Sequence, residues 1–157
     1  MICDSIEAFA AALPDFGAIL GLDLGSKTIG VAVSDVTRAI ASPLTLIERK
    51  SREKDMTALL DAVKSREAVG AVIGLPLQMD GFEGERAEIT RVFANRVAAA
   101  WDAPLMFWDE RLSTAGVERY LIGEADMTRA RRKQVVDRSA AAFILQGALD
   151  RLRHIPR

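Results

Sequence analysis

The order of apolar and amphipathic stretches restricts this chain to a layered fold of sheet and helices. Ala18–Leu24 and Thr28–Ser34 are apolar runs rich in Val, Ile and Leu, and only Gly25-Ser26-Lys27 separates them. This spacing predicts two strands joined by a tight hairpin. A shorter apolar run, Leu44–Ile47, predicts a third strand of the same antiparallel meander.

After the meander, helical and extended patterns alternate. Apolar residues recur at the period of an amphipathic helix over Met56–Val63, and the nearly continuous apolar run Val69–Leu75 predicts a strand covered on both faces. Further elements, in the order helix, strand, helix, helix, are expected at Ile89–Ala100, Leu105–Trp108, Ser113–Ile122 and Thr128–Leu152. The buried stripe of the first of these helices is expected to contain Ile89, Val92, Phe93, Val97 and Ala100.

This order predicts an α/β fold. Its centre is a five-stranded mixed sheet, in which an antiparallel meander continues into parallel strands, and helices flank the sheet. The 157 residues, 50% hydrophobic and 27% charged, are typical of one globular domain. We therefore expect a helical N-terminal extension at residues 1–17, begun by Asp4 or Ser5, and a single domain at residues 18–157.

Composition excludes several classes of protein. Cys3 is the only cysteine, which excludes an intrachain disulfide framework and a cysteine-based zinc cluster. No apolar stretch approaches the length of a membrane span, and the first basic residue is Lys27, so we expect neither a standard export signal nor a membrane protein.

Charge is balanced over the whole chain but not along it. The chain has 21 Lys and Arg against 22 Asp and Glu, whereas residues 126–157 carry eight basic and three acidic residues. Five of the basic positions lie near the predicted start of the last helix or just after it. Such a patch suits a phosphate backbone, because each neutralised phosphate releases a counterion. The alternative is that Arg129–Lys133 is simply the solvated first turns of a helix.

Carboxylates follow two of the predicted strands. Asp23 lies near the end of an otherwise apolar strand, and Asp109 and Glu110 end the fifth strand. Neighbouring side chains of a strand point to opposite faces, so at most one of this pair can share the face of Asp23. Ligand sites of parallel strands lie at their carboxyl ends, where these acids are.

A third acid, Asp137, lies on the predicted buried stripe of the last helix, with small residues that allow a close approach to the sheet. Three carboxylates about 4 Å apart would repel by roughly 4 kcal/mol per pair at an effective dielectric of 20. A divalent cation would compensate, and oxygen ligands favour Mg²⁺ or Mn²⁺. The alternative is local ion pairing, of Asp109 or Glu110 with Arg111 and of Asp137 with Arg131 or Lys133.

Four segments resemble a known family. They are GLDLGSKTIGVAVSD from Gly21, GLPLQMDG from Gly74, DERLST from Asp109, and Asp137–Gln146. In this order they resemble the motifs of the YqgF/RuvX family, the Holliday-junction-resolvase-like pre-16S rRNA nucleases of bacteria, over residues 18–152. The resemblance implies an RNase H-like fold, a cytoplasmic location, and metal-dependent phosphodiester cleavage that matures the 5′ end of 16S rRNA.

The resemblance also implies a site. Asp23, Glu110 and Asp137 match the family's catalytic metal ligands, with two Mg²⁺ or Mn²⁺ ions roughly 3.5–4 Å apart on the scissile phosphate. Thr28 stands where the family often has Arg, which leaves Lys27 as the nearest phosphate contact, and Glu85 stands where Pro is frequent. The other candidate substrate-binding residues are Arg111, Arg131, Arg132 and Lys133.

Other functions remain open at this point. The Asp23–Ser26 hairpin is also typical of actin-like and sugar-kinase ATPases, but those enzymes bind nucleotide between two such domains and this chain supplies one. A DNA resolvase for Holliday junctions or a non-catalytic nucleic-acid-binding module would share the fold. The expected partners are therefore pre-16S rRNA, alone or in ribosomal precursor particles, or branched DNA. No membrane is expected, and the protein is expected to be a monomer or a homodimer.

Overall fold

The computed structural model describes residues 1–78, 80–111 and 129–156, without the side chains of 129–139. The predicted helix at Ser113–Ile122 and the predicted cap Thr128 lie outside these residues. No helix in the described ranges is long and apolar enough to cross a membrane. The elements are α1 (Ile6–Ala12), β1 (Ile19–Leu24), β2 (Thr28–Ser34), β3 (Ala41–Glu48), α2 (Arg52–Arg66), β4 (Gly70–Leu75), α3 (Glu85–Ala100), β5 (Leu105–Asp109) and α4 (Arg129–Leu152).

The five strands form one mixed sheet in the order β3-β2-β1-β4-β5. The pairs β1–β2 and β2–β3 are antiparallel, whereas β1–β4 and β4–β5 are parallel. This confirms the predicted α/β fold with a meander that continues into parallel strands. The third strand is longer than its apolar run, because backbone pairing with β2 extends to Ala41, opposite Ser34.

The sheet separates two apolar layers. In β1, Leu20, Leu22 and Leu24 pack in the cluster that contains α2 and α3, whereas Ile19 packs with α4 on the other side. We call these sides the α2/α3 face and the α4 face. Because successive side chains alternate, Gly21 and Asp23 share the α4 face with Ile19.

The N-terminal segment also covers the α4 face. Ser5 caps α1, since its Oγ accepts a hydrogen bond of 3.0 Å from the backbone N–H of Ala8. Phe9 is fully buried and lies in the same apolar cluster as Ile19. Ahead of the helix, Ile2 forms a parallel bridge with Leu105 of β5. The residues that we expect as an extension thus contribute to the core, and the boundary after residue 17 stays a prediction.

Helix α3 buries a different stripe from the predicted one. Phe93 and Val97 are buried as expected, but Ile89 and Val92 are 49% and 58% exposed and Ala100 is exposed as well. The prediction was wrong for these three residues. The buried face is completed instead by three small side chains: Ala87, Thr90 and Ala94.

The turn between β2 and β3 is held by Asp35. Its Oδ1 accepts hydrogen bonds of 2.9 Å from the backbone N–H groups of Ala39 and Ile40, and the Thr37 hydroxyl donates to its Oδ2. The backbone bond from Ile40 is the largest of the causes that lower the pKa of Asp35 to about 2. This carboxylate stabilises the fold only in its ionised form.

We therefore expect Asp35→Asn to lower the free energy of unfolding by about 1 kcal/mol at pH 7, after allowance for solvent screening of an exposed group. The pKa is lower in the folded state, so this contribution is present above pH 4 and disappears as the pH falls towards 2. Urea unfolding of both proteins at several pH values measures it. A difference that stays constant from pH 7 to pH 3 would contradict this role.

Candidate functional site

Asp23 and Glu110 lie on the same face of the sheet. In β5, Met106 and Trp108 pack in the α4 cluster, and the alternation of side chains continues to Glu110, whose N–H donates to the Leu75 carbonyl at 3.1 Å. Asp23 reaches the α4 face by the same alternation in β1. Both carboxylates are partly buried at the carboxyl ends of their strands.

Asp109 belongs to the opposite face and has another partner. Phe107, two residues earlier, packs against the α2/α3 cluster. The Arg111 guanidinium donates to Asp109, with 2.7 Å between Nη2 and Oδ2, and these hydrogen bonds lower the pKa of the Asp109 carboxyl. The two neighbours thus differ in position: Glu110 shares a face with Asp23, and Asp109 forms the ion pair with Arg111. That Glu110 is the site residue stays a prediction.

Gly74 creates the space between Asp23 and Glu110. It lies in β4, the strand between β1 and β5, one residue beyond the pairing of Ile73 with Leu22 and opposite Trp108. A Cβ atom at Gly74 would lie 3.7 Å from Glu110 Oε2 and 2.6 Å from Ile144 Cδ1 of α4. The Glu110 carboxylate therefore lies above Gly74, on the side towards α4, where any larger residue would compete for the space.

Burial makes the charge of Glu110 costly. Desolvation raises the pKa of this carboxyl, and the positive charge of Arg86 offsets part of the rise. Arg86 is an exposed residue in the first turn of α3 and is a candidate phosphate contact that our sequence reasoning missed. The sequence does contain a signal for Arg86. A basic residue in the first turn of a helix is unusual, because the helix dipole favours acidic residues there.

Helix α4 brings Asp137 to the level of Asp23. The helix passes over Gly21, where a Cβ atom would lie 2.7 Å from the Ala141 carbonyl oxygen. Further along, Gln146 bonds to the turn between β2 and β3 at the far end of the sheet, so α4 runs away from the site. Asp137 precedes Ala141 by four residues, about 6 Å of helix, and Asp23 lies two residues, about 6.6 Å, beyond Gly21. The side chain of Asp137 is outside the described part.

The predicted basic residues fall into two groups. Lys27 is exposed in the turn between β1 and β2, at the end of the sheet where Asp23 lies. Arg111 follows Glu110 in the chain but is paired with Asp109. Arg131, Arg132 and Lys133 lie in α4 ahead of Asp137, and their side chains also lie outside the described part. Their backbone positions place them past the edge of the sheet, on the side of the site.

The described side chains do not form a complete metal site. Among residues 1–78, 80–111 and 140–156, no three His, Cys, Asp or Glu side chains lie close enough together to hold a metal ion. Asp23 and Glu110 are two carboxylates on one face, and Asp137 stays the predicted third ligand. Such oxygen donors fit Mg²⁺ or Mn²⁺, and a cation would compensate for the burial of Glu110.

The RuvX family model, described as Holliday junction resolvase, matches residues 17–151. The chain belongs to the RuvX family. Proteins named "Putative pre-16S rRNA nuclease" are similar to this RuvX-family protein over nearly its whole length. The one from Ruegeria pomeroyi is 56% identical over 99% of this chain and 100% of its own, and that from Caulobacter vibrioides is 57% identical over 94% and 96%.

Solved structures support the fold of this RuvX-family protein. Thermus thermophilus RuvC, in complex with Holliday junction substrate, matches with a TM-score of 0.58 at 14% identity, over 88% of this chain and 98% of the RuvC chain. A second Thermus thermophilus RuvC structure matches with a TM-score of 0.50 at 13% identity, over 87% and 96%. The likeness confirms the expected RNase H-like fold class.

Proposed function

We propose that this RuvX-family protein is a metal-dependent endonuclease that cleaves phosphodiester bonds in structured RNA and matures the 5′ end of pre-16S rRNA. The observation that carries the proposal is the placement of Asp23 and Glu110 on one face, on either side of Gly74, below the helix that carries Asp137. The names of the close relatives support the RNA substrate and hydrolysis as the reaction. A cytoplasmic location belongs to the same proposal.

The acidic and basic residues of the site have different proposed roles. Asp23, Glu110 and Asp137 would hold Mg²⁺ or Mn²⁺, which when bound supplies Lewis-acid polarisation of the phosphate and activation of water. Glu110 is fixed by its backbone bond to Leu75, and the absence of a side chain at Gly74 lets the Glu110 carboxylate and Ile144 lie close to β4. Arg86 and Lys27 offer positive charge at the same edge, where the scissile phosphate would lie.

Binding of the RNA backbone is assigned to α4. Arg131, Arg132 and Lys133 precede Asp137 on a helix whose direction leads away from the sheet edge, so a strand that crosses the site can continue along them. Each contact with a phosphate releases a counterion, and RNA affinity should therefore fall steeply with salt.

We expect replacement of both Arg131 and Arg132 by Ala to flatten the salt dependence of RNA binding. The slope of log affinity against log salt concentration should fall in magnitude by about 1 to 2, since two phosphate contacts are lost. Titration of a labelled RNA at several salt concentrations measures the slope. Lys64→Ala with Arg66→Ala is the matched control, because this exposed pair lies in the last turn of α2, at the other end of the sheet. An unchanged slope in the α4 variant would refute the assignment.

The substrate is tested by comparing cleavage of RNA and DNA in parallel reactions. The purified protein is incubated with a 16S precursor fragment that retains its 5′ leader and, separately, with a four-way DNA junction, each with Mg²⁺, Mn²⁺ or EDTA. We expect metal-dependent cleavage of the RNA at its leader. Symmetric cleavage of the junction alone would favour the second candidate, a DNA resolvase, which the description of the matching family supports. Binding without cleavage of either would favour a non-catalytic module.

A further inference from the structure

An exposed phenyl ring stands at the rim of the proposed site. Phe82 is 72% exposed and lies in the segment that connects β4 to α3. Its ring therefore presents an aromatic face to solvent, and a nucleic-acid base can stack on such a face. The proposed metal chemistry gives this ring no part.

The segment that carries Phe82 is a small, bonded hairpin. Leu77 and Glu83 form an antiparallel bridge, and the Gln78 N–H donates to the Phe82 carbonyl at 2.9 Å. The N–H of Phe82 donates to Asp80 Oδ1 at 3.0 Å, and Gly81 adopts a φ of 87°, which favours glycine. The backbone under the ring is therefore fixed before any ligand binds.

Two arginines hold this hairpin, one from α3 and one next to the proposed site. Arg91 of α3 forms a bidentate ion pair with Glu83, with 3.0 Å between Nη2 and Oε2. Arg111, which directly follows Glu110, approaches the Gln78 carbonyl with Nη1 at 3.4 Å. Phe82 is thus held on a platform that contacts the residue next to a proposed metal ligand.

We propose that Phe82 stacks on an unpaired base of the substrate next to the scissile phosphate, so that the enzyme selects RNA with a single-stranded nucleotide at the cleavage site. The inference rests on the proposed function and names its substrate class. An aromatic ring stacks on any base, which gives affinity without sequence preference. Bases inside an A-form helix are stacked already and lie in grooves that hide them from such a ring, so paired RNA gains nothing from it.

The test compares two RNAs of the same sequence, one single-stranded and one fully paired with its complement. Each carries 2-aminopurine, whose fluorescence falls on stacking. In the Asp23→Asn background, which is intended to prevent cleavage, Phe82→Ala should weaken binding of the single strand by roughly tenfold to a hundredfold and abolish the fluorescence change. Binding of the duplex should change less than about twofold. Phe82→Trp should retain both properties, because it keeps an aromatic face.

Phe16→Ala is the matched control. Phe16 is 73% exposed but precedes β1, at the end of the sheet opposite the site, and its loss should leave binding of both RNAs unchanged. Equal weakening of single strand and duplex by Phe82→Ala, or no weakening, would overturn the inference. Cleavage assays of the same variants with Asp23 intact separate the two proposals. Stacking without cleavage would refute only the nuclease, and cleavage indifferent to Phe82 would refute only the stacking role.

Discussion

Asp23→Asn and Glu110→Gln should each lower the rate of Mg²⁺-dependent RNA cleavage by at least roughly a thousandfold, equivalent to about 4 kcal/mol of transition-state stabilisation. Each substitution keeps the shape of the side chain and removes one negative charge from the face that α4 covers. The initial cleavage rate at saturating Mg²⁺ measures the effect.

Stability must be followed in the same proteins. Both acids are partly buried, and burial raises the pKa of Glu110, so neutral replacements should leave the melting temperature unchanged or raise it. If a variant loses activity but keeps its melting temperature, the loss comes from the missing carboxylate and not from unfolding. Rates within about tenfold of wild type in a pure sample would refute the role of either acid.

The control variants separate position from charge. Asp61→Asn neutralises an exposed acid of α2, away from the site, and should leave the rate unchanged. Asp109→Asn releases Arg111 from its ion pair on the opposite face, so its effect should be much smaller than that of Glu110→Gln. The reverse order of the two effects would show that Asp109 is the ligand.

Gly21→Ala should lower the free energy of unfolding by about 3 kcal/mol, because the packed site has no room for the added methyl group. Its Cβ atom would lie 2.7 Å from the Ala141 carbonyl oxygen and 2.7 Å from Leu145 Cβ. Neither atom is the free end of a flexible side chain, so α4 must move away from β1. Urea unfolding measures the loss.

Gly147→Ala is the matched control within α4. The nearest atom to its Cβ would be Trp108 Cζ2 at 3.1 Å, a milder contact, and alanine stabilises a helix by up to about 1 kcal/mol relative to glycine. We expect its stability to stay within about 1 kcal/mol of wild type. Equal stability of the Gly21 and Gly147 variants would show that α4 can shift freely on the sheet.

The sheet could be predicted from the sequence because most of its strands are short apolar runs. Short apolar runs at β1, β2 and β4 alternate with amphipathic helices, and this order permits few topologies. The length of β3 could not be predicted, because its first residues are held by backbone pairing with β2 and not by apolar side chains. The buried stripe of α3 was misjudged for a related reason, since its packing favours small residues such as Ala87 and Ala94 over Ile89 and Val92.

The candidate site could be predicted in part. The acids stand out as charges at the ends of apolar strands, but the sequence alone could not choose between Asp109 and Glu110. The face that each strand residue occupies comes from the structure, where the packing of Met106 and Trp108 against α4 puts Glu110 on the face of Asp23. The role of Glu110 as a ligand stays a prediction. Arg86 and Phe82 were missed because their importance comes from their surroundings in the fold: α3 places Arg86 near Glu110, and the segment between β4 and α3 carries Phe82.

At Gly21 the backbone of α4 lies directly on the backbone of β1, because no side chain stands between the Ala141 carbonyl group and the strand at this position. At its other end the same helix is tied to the turn between β2 and β3, where the Ala39 carbonyl accepts from Gln146 at 3.1 Å and from Arg153 at 2.6 Å. The helix backbone that carries Asp137 is therefore joined both to β1 at Gly21 and to that distant turn. Substitutions in the turn between β2 and β3 can act on the site through α4, although they lie at the other end of the sheet.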